Sequence, residues 1–172
     1  MPANIEVKAR LESLERARSI ALRLCQDAPE VIDQTDVFFP CRDGRLKLRI
    51  FETGVGELIL YRRPDTPEAR RSEYEIASTS DPQVLRQILE RTVGSCGTVK
   101  KTRTLYLVGQ TRIHLDQVEN LGSFLELEVV LRPGQSDAEG QEIADRLLGE
   151  FGIQRDQIVS VAYIDLLNKL SA

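Results

Sequence analysis

The sequence predicts an α+β fold in which eight antiparallel strands, enough to close a barrel, are packed by helices on their apolar faces. Two observations predict it. Apolar and charged residues alternate along short segments, as in Ile5-Glu6-Val7-Lys8-Ala9-Arg10 and Leu125-Glu126-Leu127-Glu128-Val129, and successive side chains of a strand point to opposite faces. Other stretches repeat apolar residues at helical spacing on one side only, so they need a surface to cover. A chain of 172 residues, 41% hydrophobic, suits one domain spanning residues 1–172.

The elements follow in order. The first strand covers residues 4–11, and the helix after it places Leu14, Ala17, Ala21, Leu24, Cys25 and Ala28 in phase. Strands at 31–39, 44–52, 56–63 and 70–78 are set apart by Asp43-Gly44, Thr53-Gly54-Val55-Gly56 and Pro64-Asp65-Thr66-Pro67. Asp81-Pro82, a capping residue before a proline, opens a helix presenting Val84, Leu85, Ile88 and Leu89. Strands at 97–108, 111–118 and 123–131 turn at Gly109 and at Asn120-Leu121-Gly122. Ser136 and Glu139 form a capping box for a helix carrying Ile143, Leu147, Leu148 and Phe151 and stopped by Gly152. A short helix covers 161–170.

Composition narrows the function. A net charge of -4 argues against a general nucleic-acid binder and against adsorption to anionic membranes. No run is apolar and long enough to span a bilayer, and Met1-Pro2-Ala3-Asn4 leads directly into a strand, so the cytoplasm is the expected location. Cys25, Cys41 and Cys96 suggest neither a disulfide framework nor a zinc site, and Cys25 reads as a small core residue. A homodimer is compatible with the sequence.

The charged faces carry the chemistry. Their acids are Glu6, Glu73, Asp116, Glu126 and Glu128, with Asp36 and Glu75 beside them. Their bases are Lys8, Arg10, Lys47, Arg49, Lys101, Arg103 and Arg112, with Arg62 or Arg63 from the fourth strand. Periodicity alone leaves two destinations for this face: solvent, outside an open sheet, or the lumen of a closed one. A lumen so charged must stay wet, pair its charges or hold charged ligands. Carboxylates around a hard divalent cation, flanked by Lys and Arg, form a natural receptor for a metal-bound polyphosphate. Glu126 and Glu128 lie one pleat apart on one face, which suits a metal. No glycine-rich phosphate loop is present, so side chains would grip phosphate.

Several segments in order resemble the CYTH superfamily, the triphosphate tunnel metalloenzymes. They are Asn4-Ile5-Glu6-Val7-Lys8, Gln34-Thr35-Asp36-Val37-Phe38-Phe39, Gly44-Arg45-Leu46-Lys47-Leu48-Arg49, Leu60-Tyr61-Arg62-Arg63-Pro64, Arg71-Ser72-Glu73-Tyr74-Glu75 and Val99-Lys100-Lys101-Thr102-Arg103. The closing portion, Arg112-Ile113-His114-Leu115-Asp116 and then Leu121-Gly122-Ser123-Phe124-Leu125-Glu126-Leu127-Glu128, is similar to bacterial class IV adenylyl cyclases. The resemblance implies a closed eight-stranded tunnel binding triphosphate with Mg²⁺ or Mn²⁺, and it favours the lumen. By position it implies Glu6, Glu126 and Glu128 on the metal, with Asp116 as a nearby ligand or an acid behind the ligands, and it makes His114 and Asp116 the candidate catalytic residues. It places Lys8, Arg10, Lys47, Arg49, Arg62, Lys101, Arg103 and Arg112 on phosphate oxygens. ATP, inorganic tripolyphosphate and thiamine triphosphate are the substrates of the family.

One departure is Asn4, which stands where the family has its first glutamate; an amide oxygen coordinates a hard cation more weakly than a carboxylate. His114, in phase with Arg112 and Asp116, should face the lumen as a packed or a catalytic residue. Tyr163 reads as a core tyrosine able to reach a tunnel mouth. Three activities fit: cyclisation of ATP, which the closing motif favours; hydrolysis of a terminal phosphate; and binding of polyphosphate or nucleotide without turnover.

Overall fold

The computed structural model describes residues 3–66 and 68–172; Met1, Pro2 and Pro67 of the expected turn lie outside the described residues. The elements are β1 (Ala3–Arg10), α1 (Leu14–Leu24), β2 (Glu30–Phe39), β3 (Arg45–Phe51), β4 (Gly56–Arg62), β5 (Arg70–Thr79), α2 (Pro82–Thr92), β6 (Gly97–Val108), β7 (Thr111–Val118), β8 (Gly122–Val130), α3 (Asp137–Phe151), a 3₁₀ turn (Arg155–Gln157) and α4 (Tyr163–Leu170). The strands close into one antiparallel barrel in the order β1-β5-β4-β3-β2-β6-β7-β8. Tight turns join most sequence neighbours, and the two connections that carry α1 and α2 bring β1 beside β5 and β2 beside β6.

Local chemistry fixes the helix ends. Ser13 accepts a hydrogen bond from the Arg16 amide at 3.2 Å, and Asp81 accepts one from Val84 at 3.1 Å ahead of Pro82. Ser136 and Glu139 close the expected capping box, and Gly152 ends α3 in the left-handed region at φ 66°.

The apolar strand faces are covered from outside. Ile5, Val7, Ile113, Leu115, Leu125, Leu127 and Val129 pack against Ala17, Ile20 and Ala21 of α1 and Ala144, Leu147 and Phe151 of α3; Cys25 lies half-buried at the margin. Each fully buried Leu or Val contributes about 1.5–3 kcal/mol. On α2, Leu85 and Leu89 cover Val37, Phe39 and Leu48. Val159, Ala162, Tyr163 and Ile164, in and just before α4, gather Phe38, Val99, Val118 and Phe124 at one end of the barrel. Where the outer surface is apolar, the alternate residues face the lumen. No described helix is long and apolar enough to cross a membrane, which says nothing of a β-barrel.

Candidate active site

Strand register sets the site. Across β7, β8 and β1, His114 pairs with Glu126 and Glu126 with Lys8; one pleat along, Arg112 pairs with Glu128 and Glu128 with Glu6. On the far side, Asp36 lies opposite Arg49. These residues line a cavity of about 320 Å³, to which Lys47, Arg63, Lys101 and Arg103 also contribute. One wall is therefore acidic and the facing wall basic.

Two aspartates hold the basic wall in place. Asp36 accepts hydrogen bonds from Lys47 at 2.9 Å and from Arg49 at 2.9 and 3.0 Å. Asp116 accepts two from Arg103 at 2.7 Å, one from Lys101 at 3.3 Å and one from the Tyr163 hydroxyl at 2.9 Å. Burial pushes both carboxyls up, but Arg49 and Lys47 hold Asp36 well below its ordinary value, and Arg103 and Lys101 hold Asp116 below its own. Both aspartates are ionised anchors that orient cations.

On the acidic wall, Glu126 faces Arg103 at 3.2 Å and Lys8 at 3.8 Å, while Glu128 takes Arg112 at 2.9 Å. Glu6 is paired with Arg63, yet burial still raises its carboxyl. Lys8 lies with its ammonium 4.0 Å from the Tyr163 ring centroid, and burial pushes it down to about 7 against the pull of Glu126. Burial, reinforced by Arg103, pushes His114 down, so its imidazole is neutral at pH 7.

A divalent cation fits the donor set. Ligand atoms of His114, Glu126 and Glu128 lie within 4.8 Å of one another. Two further observations agree: among the described residues, the Asn4 side-chain oxygen and His114 Nδ1 are both buried with no hydrogen-bond partner. Each carries a lone pair for which a cation would supply the partner.

Most of the expected residues meet in the lumen. Glu6, Glu126, Glu128, Lys8, Lys47, Arg49, Lys101, Arg103, Arg112 and His114 line the cavity. Asp116 is 0% exposed, and the side chains that hydrogen-bond its oxygens among the described residues are Arg103, Lys101 and Tyr163, so it stands behind the basic wall as an anchor. Two residues depart. Arg10, at the end of β1, is exposed and lies over the Phe124 ring at 5.1 Å, outside the cavity. Arg62, whose side chain is 45% exposed, pairs with Asp43 at 2.7 Å; Arg63, 6% exposed, takes the lumen position. The expected acids of β5 depart as well, because Ser72, Tyr74 and Ile76 face inward while Glu73 pairs with Arg71 outside. Leu58, Ile59, Leu60 and Tyr61 are apolar on both faces of β4, so alternation there sets no phase, and the outer face of β5 meets water, which reverses the rule of charge inside. Tyr163 is both things at once: its ring packs on Phe124 at 4.8 Å while its hydroxyl reaches Asp116.

Along the tunnel, Phe38, Val99 and Tyr163 fill one end. Strand direction places Ile32, Phe51 and Ile76 toward the other, where Ile76 is 50% exposed.

Comparison with known proteins agrees with this geometry. A protein of Methanocaldococcus jannaschii named a candidate adenylate cyclase is 25% identical over 140 residues, covering 77% of this chain and 80% of its own. The structure of the PH1012 protein from Pyrococcus horikoshii superposes with a TM-score of 0.84 at 24% identity, covering 95% of this chain and 98% of that one. A Hippeastrum protein, described as a candidate adenylyl cyclase with a dominant triphosphatase activity, superposes at 0.70 with 16% identity over 98% of this chain and 96% of its own. The model of the CYTH domain matches residues 2–163. With a closed tunnel, an acidic wall facing a basic one, and a family match over nearly its whole length, the chain belongs to the CYTH domain family.

Proposed function

We propose that the protein is a divalent-metal-dependent enzyme acting on a triphosphate, and that its reaction is conversion of ATP to cyclic AMP and pyrophosphate. The observation that carries this reading is the pair of facing walls across one cavity. Lys47, Arg49, Lys101 and Arg103, held by Asp36 and Asp116, offer charge-assisted hydrogen bonds to phosphate oxygens without the cost of ordering them at the moment of binding. Arg63 and Arg112 add cations from the acidic side. Glu126 and Glu128, with Glu6 and the Asn4 amide nearby, would hold Mg²⁺ or Mn²⁺, which when bound acts as a Lewis acid on phosphoryl oxygen. Asp116 serves as a positioning residue behind the wall.

Cyclisation is supported by the class IV-like closing motif, by the name of the M. jannaschii relative, and by the apolar mouth, which suits an organic group attached to the phosphates. Hydrolysis of inorganic tripolyphosphate or thiamine triphosphate is the second reading. An aromatic content of 5% and the dominant triphosphatase activity of the Hippeastrum protein support it. The test is to incubate pure protein and Mg²⁺ or Mn²⁺ with each of ATP, tripolyphosphate and thiamine triphosphate and to identify the products. Cyclic AMP supports the first reading and orthophosphate the second. Tight binding with no product would make the protein a binding module and overturn both.

A further inference from the structure

We infer that His114 is a direct metal ligand through Nδ1, and that the tunnel consequently favours first-row transition ions over Mg²⁺. The inference rests on the proposed reading only for the presence of a divalent ion in this wall.

His114 is the chain's single histidine, and β7 aims it at the two carboxylates best placed to bind a cation. Its Nδ1 stands 3.6 Å from Glu126 Oε1 and 3.9 Å from Glu128 Oε1, beyond hydrogen-bonding distance of either. His114 is 4% exposed and its Nδ1 has no partner among the described residues, an arrangement that carries the desolvation penalty of an unmade hydrogen bond unless something else satisfies the nitrogen.

An ion satisfies all three groups. Two ligands each about 2.1 Å from one cation stand about 3–3.4 Å apart at right or tetrahedral angles, so small side-chain shifts bring these atoms onto a common centre. Arg112 engages Glu128 Oε2 at 2.9 Å and leaves Oε1 toward the imidazole, while Arg103 donates to Glu126 Oε1 itself at 3.2 Å, so that oxygen would share its second lone pair with the ion. Mg²⁺ is satisfied by oxygen alone, whereas an imidazole nitrogen adds selectivity that rises from Mn²⁺ to Co²⁺ and beyond.

Because there is one histidine, the test has one interpretation. Tag-free protein is loaded with Mn²⁺ without triphosphate, and pulsed electron paramagnetic resonance is used to look for coupling to a directly bound imidazole ¹⁴N. Coupling is expected in the wild type and its loss in His114→Gln, together with at least a roughly tenfold weaker Co²⁺ affinity and a smaller change for Mg²⁺. Bound Mn²⁺ without nitrogen coupling, no Mn²⁺ binding, or an unchanged Co²⁺ affinity in the variant would each overturn the inference; the wild-type spectrum does not depend on the variant folding. Turnover of triphosphate without nitrogen coupling would overturn this inference alone, and coupling without turnover would overturn the proposed reaction alone.

Discussion

Arg103 grips Asp116 through both carboxylate oxygens at 2.7 Å, in a place that solvent does not reach. Removing the acid takes from Lys101 its ion-pair partner and leaves Arg103 with Glu126 alone, in the wall of the tunnel. Asp116→Ala should therefore lose about 3–5 kcal/mol of stability, the usual cost of breaking one side of a buried pair. Urea unfolding measures it. A loss below about 1 kcal/mol would show that water or other groups replace the aspartate.

The fourth strand supplies a clean pairwise test. Arg63 faces the lumen and Arg62 faces Asp43 outside. Arg63→Ala should weaken tripolyphosphate binding by about 10- to 100-fold, as expected for loss of a charged hydrogen bond, while Arg62→Ala should change it little. Calorimetric titration of both variants decides the point, and equal effects would refute the assignment.

Lys47 sets a pH dependence. Burial, with Arg49 adding to it and Asp36 opposing, pushes its ammonium down to about 8 from 10.5. The folded value lies below the unfolded one, so charge burial costs stability fully below about pH 8, and that cost is relieved as pH rises from there toward 10.5. Phosphate affinity runs the other way, because Lys47 stops being a cation above pH 8. Tripolyphosphate affinity should fall more steeply in the wild type than in Lys47→Met between about pH 7 and 9, the variant keeping the earlier and shallower fall that Lys8, pushed down to about 7, supplies to both. A slope shared by both proteins would assign the titration elsewhere.

Gly140 tests the seating of α3 on the barrel. In most helix interiors Gly→Ala stabilises by about 1 kcal/mol. Here a methyl group would come within 2.6 Å of Ile5 Cγ1 and 2.7 Å of Leu131 Cδ2, and Ile5 is a stiff, buried, β-branched side chain. Gly140→Ala should instead destabilise by about 1–3 kcal/mol, seen as a lower thermal midpoint. A rise in that midpoint would show that the helix can lift off the sheet.

How far the sequence could be read depended on which strands are covered. Ile5 and Val7, Ile113 and Leu115, and Leu125 and Leu127 lie under helices, so Glu6, Lys8, His114, Glu126 and Glu128 read as one charged face; alternation leaves that face between solvent and a lumen, and the family resemblance turns it inward. Where that contrast fails, alternation misleads. Apolar residues on both faces of β4 hid Arg63, and the wet outer face of β5 made Glu73 and Glu75 look like lumen acids in place of Ser72 and Tyr74. Arg10 follows the right phase but stands one pleat beyond Lys8, at the exposed end of β1 outside the cavity. The pairing of Asp36 and Asp116 with their cations depends on register between distant strands, which no local pattern encodes.

Tyr163 and its neighbours stopper the barrel, which makes the tunnel a cul-de-sac. Whatever enters must leave by the way it came, head first in and tail first out. On the proposed reading, a long polyphosphate would then be worked on only from a free terminus and never threaded through, and of two products formed, the one lodged deeper would have to wait for the other to depart.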